Sequence, residues 1–240
     1  IGMWGEVNGV RFAFVVALIL SAVAAALQQI LIADDLPRTT NEGQPLTPEK
    51  NPLKLFREMS PSLKRLLVSD ILIRFCEQIP YAFVVVWCIK TIVAPITAFQ
   101  FGILTSIEMM TAVLIYIPVA YLADRSTKKP FIVMTFIFFT LFPLFLMFCH
   151  SFSWLVFAFI LRGFKEFGEP TRKALIMDLA PEGKKAAIFG LYYLLRDVIV
   201  SMAAFGGAFL WQIDPYVNFL VAFSFGLFGT ISFALGGKEV

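Results

Sequence analysis

Charged residues are scarce in this sequence. The 240 residues include 20 Lys and Arg and 17 Asp and Glu, while 59% of the chain is hydrophobic. A soluble domain of this length needs far more polar surface than these residues supply. The scarcity of charge therefore excludes a soluble globular protein, and the net charge of +3 gives no reason to expect a nucleic-acid partner.

Cysteine and histidine are scarcer still, with three Cys and one His. Cys76 and Cys88 are far apart on one predicted helix, about 18 Å along its axis, so they cannot form a disulfide with each other. Cys149 has no evident partner, and we interpret all three as packing residues. His150 is interpreted as a solvated loop residue. The sequence thus predicts no metal site and no cofactor.

Long apolar runs stand where the charges are missing. Several approach the roughly 20 residues that a helix needs to cross the hydrocarbon core of a bilayer. The strands of a membrane β-barrel are short and alternate in polarity, whereas these runs are continuously apolar. The sequence therefore predicts an all-α integral membrane protein with seven transmembrane helices, near residues 10–33, 66–90, 98–122, 130–149, 153–178, 186–211 and 215–236.

One long hydrophilic stretch interrupts these runs. Residues 34–65 carry scattered charges and five prolines, which is typical of a linker. Its end, NPLKLFREM, is expected to form a short amphipathic helix on the membrane surface. The chain is thus divided into a transmembrane helix at 1–33, a linker at 34–65 and a six-helix body at 66–240. Because the chain opens close to its first span, we expect it to be part of a longer protein.

Basic residues indicate the orientation of the chain in the membrane, since cytoplasmic loops carry an excess of Lys and Arg. If the linker is cytoplasmic, the outer side holds only Arg11 and Lys90. The inner side then collects Arg38, Lys50, Lys54, Arg57, Lys64, Arg65, Arg125, Lys128, Lys129, Lys184, Lys185 and Lys238. This bias predicts a cytoplasmic linker and C-terminus, probable for a bacterial or archaeal inner membrane protein.

Charges inside the predicted spans form the candidate site. In SDILIRFCEQIPYAF, Asp70, Arg74 and Glu77 are separated by four and three residues, so they share one narrow helix face. Each membrane-buried charge costs at least a few kcal/mol unless it faces water or a partner. The candidate substrate- or ion-binding residues are Asp70, Arg74, Glu77, Glu108, Arg162, Glu166, Glu169, Arg196 and Asp197.

These charges are unevenly distributed among the helices. The second, third, fifth and sixth spans carry them, and the first, fourth and seventh have none in their interiors. On the fifth span, positions 162, 166, 169 and 173 form one helical stripe in which acids are bracketed by bases. We therefore expect a polar-lined interior and a lipid-facing shell. Two interpretations stay open: the charges face a shared aqueous cavity, or they pair with one another and hold the bundle together.

A loop motif points to a family. AYLADRSTKK at 120–129 resembles the motif Gly-x-Leu-Ala-Asp-Arg-x-Gly-Arg-Lys of the major facilitator superfamily, with Ala120 and Thr127 in place of the two glycines. RGFKEFGEPTRKALIMDLAPEGKKAAIFGLYYLLRD further resembles the tenth helix, loop and eleventh helix of bacterial members. The chain then looks like helices six to twelve of a twelve-helix bundle. The matching motif residues are Leu122, Ala123, Asp124, Arg125, Lys128 and Lys129.

The resemblance implies a function. Members of this family are secondary transporters that work by alternating access, and helices seven, eight, ten and eleven, which carry the charges here, line or flank their central cavity. It implies that Asp124, Arg125, Lys128 and Lys129 belong to a gate. It also implies a small organic substrate, a missing N-terminal six-helix half as partner, and surrounding lipids. Buried acids next to bases favour proton coupling, with sodium left open.

Other classes of membrane protein were weighed against transport. A rhodopsin-type photoreceptor needs a Schiff-base lysine in its last span, and residues 215–236 contain none. A membrane-embedded enzyme acting on lipid-linked substrates needs catalytic side chains at the membrane surface, which the loops lack. That enzyme, and a non-transporting protein with structural charge pairs, stay as alternatives. The expected protein is therefore a transporter and not an enzyme.

Overall fold

The computed structural model describes residues 6–31, 51–123 and 125–237. Within these ranges every regular element is helical. A π-helical turn, Trp87–Thr91, follows α3, and a 3₁₀ turn, Phe164–Glu166, separates α6 from α7. The α-helices are α1 Glu6–Leu31, α2 Pro52–Glu58, α3 Pro61–Val86, α4 Ala98–Ala123, α5 Lys129–Met147, α6 Phe152–Gly163, α7 Glu169–Leu179, α8 Lys185–Ile213 and α9 Pro215–Gly236.

Six of the described helices are long and apolar enough to cross a membrane, and they coincide with six of the seven predicted spans. The fifth predicted span, 153–178, is not one helix. It is broken into α6 and α7, which have 12 and 11 residues and are each too short to cross alone. The predicted all-α membrane architecture is confirmed, with a discontinuous fifth crossing.

The break in the fifth crossing has local causes. Pro170 lies in the first turn of α7, where its missing N–H costs no hydrogen bond, so the sequence favours a new helix start there. Gly168 precedes it, and a Cβ at this glycine would lie 2.5 Å from the carbonyl oxygen of Phe131 on α5. The chain therefore bends where only a residue without a side chain fits.

The structure divides into two compact units, residues 1–47 and 48–240. In the first unit, the described residues form α1, whose side chains are apolar over most of its surface and are exposed within the structure. Its span Asn8–Leu31 has 24 residues, enough to cross a bilayer. Such an all-round apolar helix is suited to a lipid or protein environment rather than water.

The second unit begins with the end of the predicted linker. Its short helix α2 is capped by Asn51, whose side chain accepts hydrogen bonds from the N–H groups of Leu53 and Lys54. Leu55 is buried while Leu53 is exposed, so the expected short amphipathic helix is present. α3 starts at Pro61, earlier than the predicted span at 66.

Helix α3 is the central element of the second unit. It packs against α8 and α9, α5 packs against α6 and α9, and α4 packs against α6. Small residues permit close approach: a Cβ at Gly226 would lie 2.8 Å from the Cys76 sulfur, and one at Gly229 would lie 3.0 Å from the Ser69 carbonyl oxygen. The glycine-rich stretches of α8 and α9 therefore serve packing.

Two apolar clusters surround the middle of α3. One contains Leu63, Leu66 and Ile73 from the first half of the helix, and the other contains Val84 and Trp87 from its end. The charges at 70, 74 and 77 lie between them. Half of the apolar window of α5 is buried, so an uncharged helix here is part of the core as well as of the expected lipid-facing shell.

The scarce cysteines and the histidine lie as expected. Cys76, Cys88 and Cys149 are free and buried, and His150 is exposed in the connection between α5 and α6.

Candidate functional site

An alternating series of acids and bases crosses the second unit. Each member lies within 4 Å of the next, and none of the side chains is more than 18% exposed. We call this series the charge chain; in order, it contains Arg196, Asp70, Arg172, Glu169, Arg74, Glu77, Lys165, Glu108 and Arg162. It connects α8, α3, α7, the 3₁₀ turn, α4 and α6.

Arg172 organises one end of the charge chain. Its guanidinium donates to Asp70 and, at 2.7 Å, to Oε1 of Glu169. Asp70 also accepts from the Tyr192 hydroxyl at 3.1 Å and lies 3.5 Å from Nη1 of Arg196. Asp70, Arg172 and Tyr192 are fully buried. Two helix crossings therefore depend on one guanidinium that two carboxylates neutralise.

Lys165 occupies the middle of the charge chain. Its ammonium lies 3.0 Å from Oε1 of Glu77 on α3 and 3.2 Å from Oε1 of Glu108 on α4. On the far side, Arg74 donates to Glu77 at 2.7 Å and to Glu169 at 3.4 Å. One ammonium is thus shared by carboxylates from two different helices.

Arg162 ends the charge chain in an aromatic setting. Its guanidinium lies 3.3 Å from Glu108. The rings of Tyr81, Phe142 and Phe159 surround it, with centroids at 5.7, 5.0 and 5.7 Å. Ring faces attract a cation, and the attraction grows when water is excluded. Glu108 and three rings therefore hold this arginine in place.

The space inside the charge chain is small. The cavity lined by Glu77, Arg162 and Lys165 has a volume of about 10 Å³, room for a single water molecule. The interpretation that these charges pair with one another therefore describes their geometry better than a shared aqueous cavity between them.

A larger pocket lies beside the charge chain, between α4 and the 3₁₀ turn. Its volume is about 440 Å³, and its lining includes Glu108, Lys165 and Glu166 together with apolar residues of α4. Unlike the other two, the Glu166 carboxylate makes no ion pair with any part of the chain that the structure describes. This pocket has room for a small organic molecule.

The break in the fifth crossing changes which residues face the interior. The predicted stripe of 162, 166, 169 and 173 assumed one continuous helix and is wrong. The residues that join the charge chain are 162, 165, 169 and 172. Spacings of three, four and three are as helical as four, three and four, so spacing alone cannot choose between them.

Two glycines fix the chosen rotation. A Cβ at Gly163 would lie 2.6 Å from the Thr111 Cβ on α4, and the N–H of Gly168 donates to the Thr135 hydroxyl of α5 at 2.5 Å. With both ends of the 3₁₀ turn held this closely, Lys165 faces Glu77 and Glu108, and Glu166 faces the pocket. Lys173, one residue beyond Arg172, is 47% exposed.

The remaining candidates on α8 lie at the edge of the site. Arg196 donates to Asp197 at 2.8 Å, and its guanidinium lies 4.2 Å from the centroid of the Tyr193 ring. The Asp197 side chain is 62% exposed. Asp197 therefore neutralises the end of the charge chain from outside and is not buried as a mid-membrane charge was expected to be.

The residues of the loop motif have different surroundings. Asp124 lies outside the described residues. The guanidinium of Arg125 lies 4.2 Å from the centroid of the Tyr121 ring, and Lys129 begins α5. Lys128 forms an ion pair with Asp178 near the end of α7. The loop between α4 and α5 is thus connected to the broken fifth crossing.

Three residues with central roles were not among the predicted site residues: Lys165, Arg172 and Tyr192. Lys165 and Arg172 were visible as charges in the fifth span, but the continuous stripe assigned their places to Glu166 and Lys173. The sequence signal that identifies them is Gly168-Glu169-Pro170, a helix start that resets the rotation. Tyr192 had no signal beyond its position on the face of α8 that also carries Arg196.

We expect the Lys128–Asp178 pair to act on conformation more than on stability. Both side chains are partly exposed, so removing one should cost no more than about 1 kcal/mol of unfolding free energy. Lys128→Asp should change the accessibility of a cysteine introduced at position 178 or its neighbours to a water-soluble thiol reagent. The charge-swapped variant Lys128→Asp with Asp178→Lys, with the cysteine placed at position 177, should restore the original labelling rate; no restoration would contradict a role for the pair.

The long apolar helices and the charge chain inside them define a polytopic helical membrane protein with a polar interior. The family model of the Major Facilitator Superfamily matches residues 66–238. The chain therefore belongs to the Major Facilitator Superfamily, a family of membrane transporters, and the resemblance drawn from the loop motif is confirmed. A search of curated proteins gave no match for the chain.

Proposed function

We propose that the protein is a secondary active transporter of a small organic solute, working by alternating access and coupled to protons. The observation that carries this proposal is Lys165, an ammonium shared by Glu77 on α3 and Glu108 on α4. Members of the family transport and do not catalyse reactions, which supports transport over an enzyme acting on lipid-linked substrates.

Proton coupling follows from competition for Lys165. A proton on Glu108 removes the negative charge that holds the ammonium and Arg162, so α4 is released from α3 and α6. Deprotonation restores both ion pairs. A group that takes up a proton in one arrangement and releases it in the other links the proton gradient to the movement of helices.

We further propose that this six-helix unit works against a second six-helix half, in a cell inner membrane, with the linker and C-terminus on the cytoplasmic side. Contacts at one end of the unit support the orientation. Lys184 pairs with Glu58 at 2.7 Å, the Ser60 hydroxyl donates to the Leu179 carbonyl at 3.2 Å, and Lys128 pairs with Asp178. The basic connections thus gather at one end, as the excess of Lys and Arg in cytoplasmic loops requires.

A second candidate is a membrane protein in which the charge chain only holds helices together. The small cavity inside the chain favours it. The two candidates differ in what happens when one carboxylate of the Lys165 site is neutralised, because a purely structural pair has no effect on proton movement beyond that of lost folding.

Glu108→Gln is expected to abolish solute-driven proton movement while solute exchange continues. The amide keeps the shape of the side chain but cannot take up and release a proton. The measurement uses proteoliposomes containing the protein with both halves and an entrapped pH-sensitive dye. Small amines, carboxylates, amino acids and sugars are added in turn, and exchange of the active solute is followed by radiolabel.

The control for this experiment is Glu182→Gln, the same chemical change at a side chain that is 89% exposed. It should behave as the unmodified protein. If Glu108→Gln moves protons normally, coupling through the charge chain is wrong. If no solute class moves protons or exchanges in the unmodified protein, the structural candidate replaces the transporter.

A further inference from the structure

We propose that the pocket between α4 and the 3₁₀ turn binds a small organic cation, a protonated amine with an apolar body, through Glu166. This assignment rests on the proposed transport function and specifies its substrate class. Sequence and family leave the substrate open, whereas the charges and the lining of this pocket favour one class.

The balance of charge in the pocket is the first argument. The lining contains Glu108, Lys165 and Glu166. Glu108 is already neutralised by Arg162 at 3.3 Å and Lys165 at 3.2 Å, and Lys165 is neutralised in turn by Glu77 at 3.0 Å. Glu166 has no such partner among the residues that the structure describes. The one charge available to a ligand is therefore negative.

The second argument is the chemistry of the remaining lining. Met109, Val113, Tyr116 and Ile117 supply an apolar wall from α4, and Tyr116 adds an aromatic face. A carboxylate next to such a wall favours a ligand with an ammonium at one end and a hydrocarbon at the other. Aromatic faces attract cations as well. An anion would meet the uncompensated carboxylate, and a sugar would leave its hydroxyl groups without partners against the wall.

Size is the third argument. About 440 Å³ is within the range of small-molecule sites and exceeds the volume of a single phenylalkylamine. The site also adjoins Lys165, so an ammonium at Glu166 lies next to the shared ammonium of the charge chain. Repulsion between the two cations gives the ligand a direct effect on Lys165 and hence on the acids that hold it.

A matched set of probes tests the class of ligand. 2-Phenylethylamine, 2-phenylethanol and 3-phenylpropionate share an apolar body and differ in charge. Binding to the purified protein in lipid nanodiscs is measured by calorimetry without any gradient. We expect the amine to bind at least tenfold more tightly than the alcohol, with no binding of the carboxylate.

Variants then locate the site. Glu166→Gln should weaken amine binding at least tenfold and leave alcohol binding unchanged, while its melting temperature stays near that of the unmodified protein because no ion pair is lost. Glu166→Asp should retain part of the preference, and Val113→Trp should reduce binding of both amine and alcohol by filling the pocket. Glu182→Gln, at an exposed turn, is the matched control and should bind as before.

The outcomes separate this inference from the proposed function. Equal binding of amine and alcohol, or full amine binding by Glu166→Gln, overturns the cation site even if another solute moves protons in proteoliposomes. Amine binding that depends on Glu166, without any proton movement, keeps the site and overturns proton-coupled transport.

Discussion

Arg172→Met should unfold or strongly destabilise the protein, the largest effect expected of any single substitution in the charge chain. Methionine keeps much of the volume but leaves Asp70 and Glu169 without the guanidinium that they share. Both carboxylates are buried, and stranding a buried charge by removing its partner costs about 3–5 kcal/mol. The melting temperature of the detergent-purified protein, followed by size-exclusion chromatography after heating, measures the loss.

The adjacent base provides the control for this prediction. Lys173 is 47% exposed and its only ion pair within the described residues, to Glu169, is 3.8 Å long, so Lys173→Met should change the unfolding free energy by no more than about 1 kcal/mol. Arg172→Lys, which keeps the charge but loses the two-pronged geometry, should lie between the two. Equal melting temperatures for Arg172→Met and Lys173→Met would mean that water reaches Asp70, and the buried charge chain would be wrong.

The spans of this protein were predictable because the membrane imposes a length. Six long helices begin and end close to the limits of the apolar runs, and α9 coincides with residues 215–236. The charged helices were predictable for the same reason, since a charge in an apolar run stands out. Composition therefore identifies the fold class and the set of helices that carry the site.

The partners of each charge were not predictable from spacing. A helix face three or four residues wide accepts either Lys165 or Glu166, and either Arg172 or Lys173. The choice depends on how α6 and α7 are rotated about the break, and that rotation depends on contacts of Gly163 with α4 and Gly168 with α5. Long-range contacts of this kind leave no periodic pattern in the sequence.

The contact between α3 and α8 is another such case, and it gives the second prediction. A Cβ at Gly207 would overlap the carbonyl oxygen of Ile79 on α3. The Gly207 carbonyl also accepts from Nδ2 of Asn218 at 2.8 Å, and the same amide reaches the Ile79 carbonyl at 3.4 Å. Three helices thus meet at a point where backbone, rather than a flexible side chain, fills the space.

Gly207→Ala should therefore force α8 away from α3. Overpacking costs about 1–3 kcal/mol where side chains can shift, and the obstacle here is backbone, so the upper end applies. The displacement also separates Tyr192 and Arg196 on α8 from Asp70 on α3, a pairing that stands at 3.1 and 3.5 Å. We expect a lower melting temperature and a loss of transport by the protein that remains folded.

Gly206→Ala is the matched control, because the neighbouring glycine has no atom within 4 Å of its would-be Cβ. The same chemical change one residue earlier gains helix propensity, so this variant should be as stable as the unmodified protein or slightly more so. Comparing the two melting temperatures separates the contact with Ile79 from the general effect of adding a methyl group to α8. If Gly207→Ala melts with Gly206→Ala, the two helices are not held at this distance, and the charge chain does not depend on their close approach.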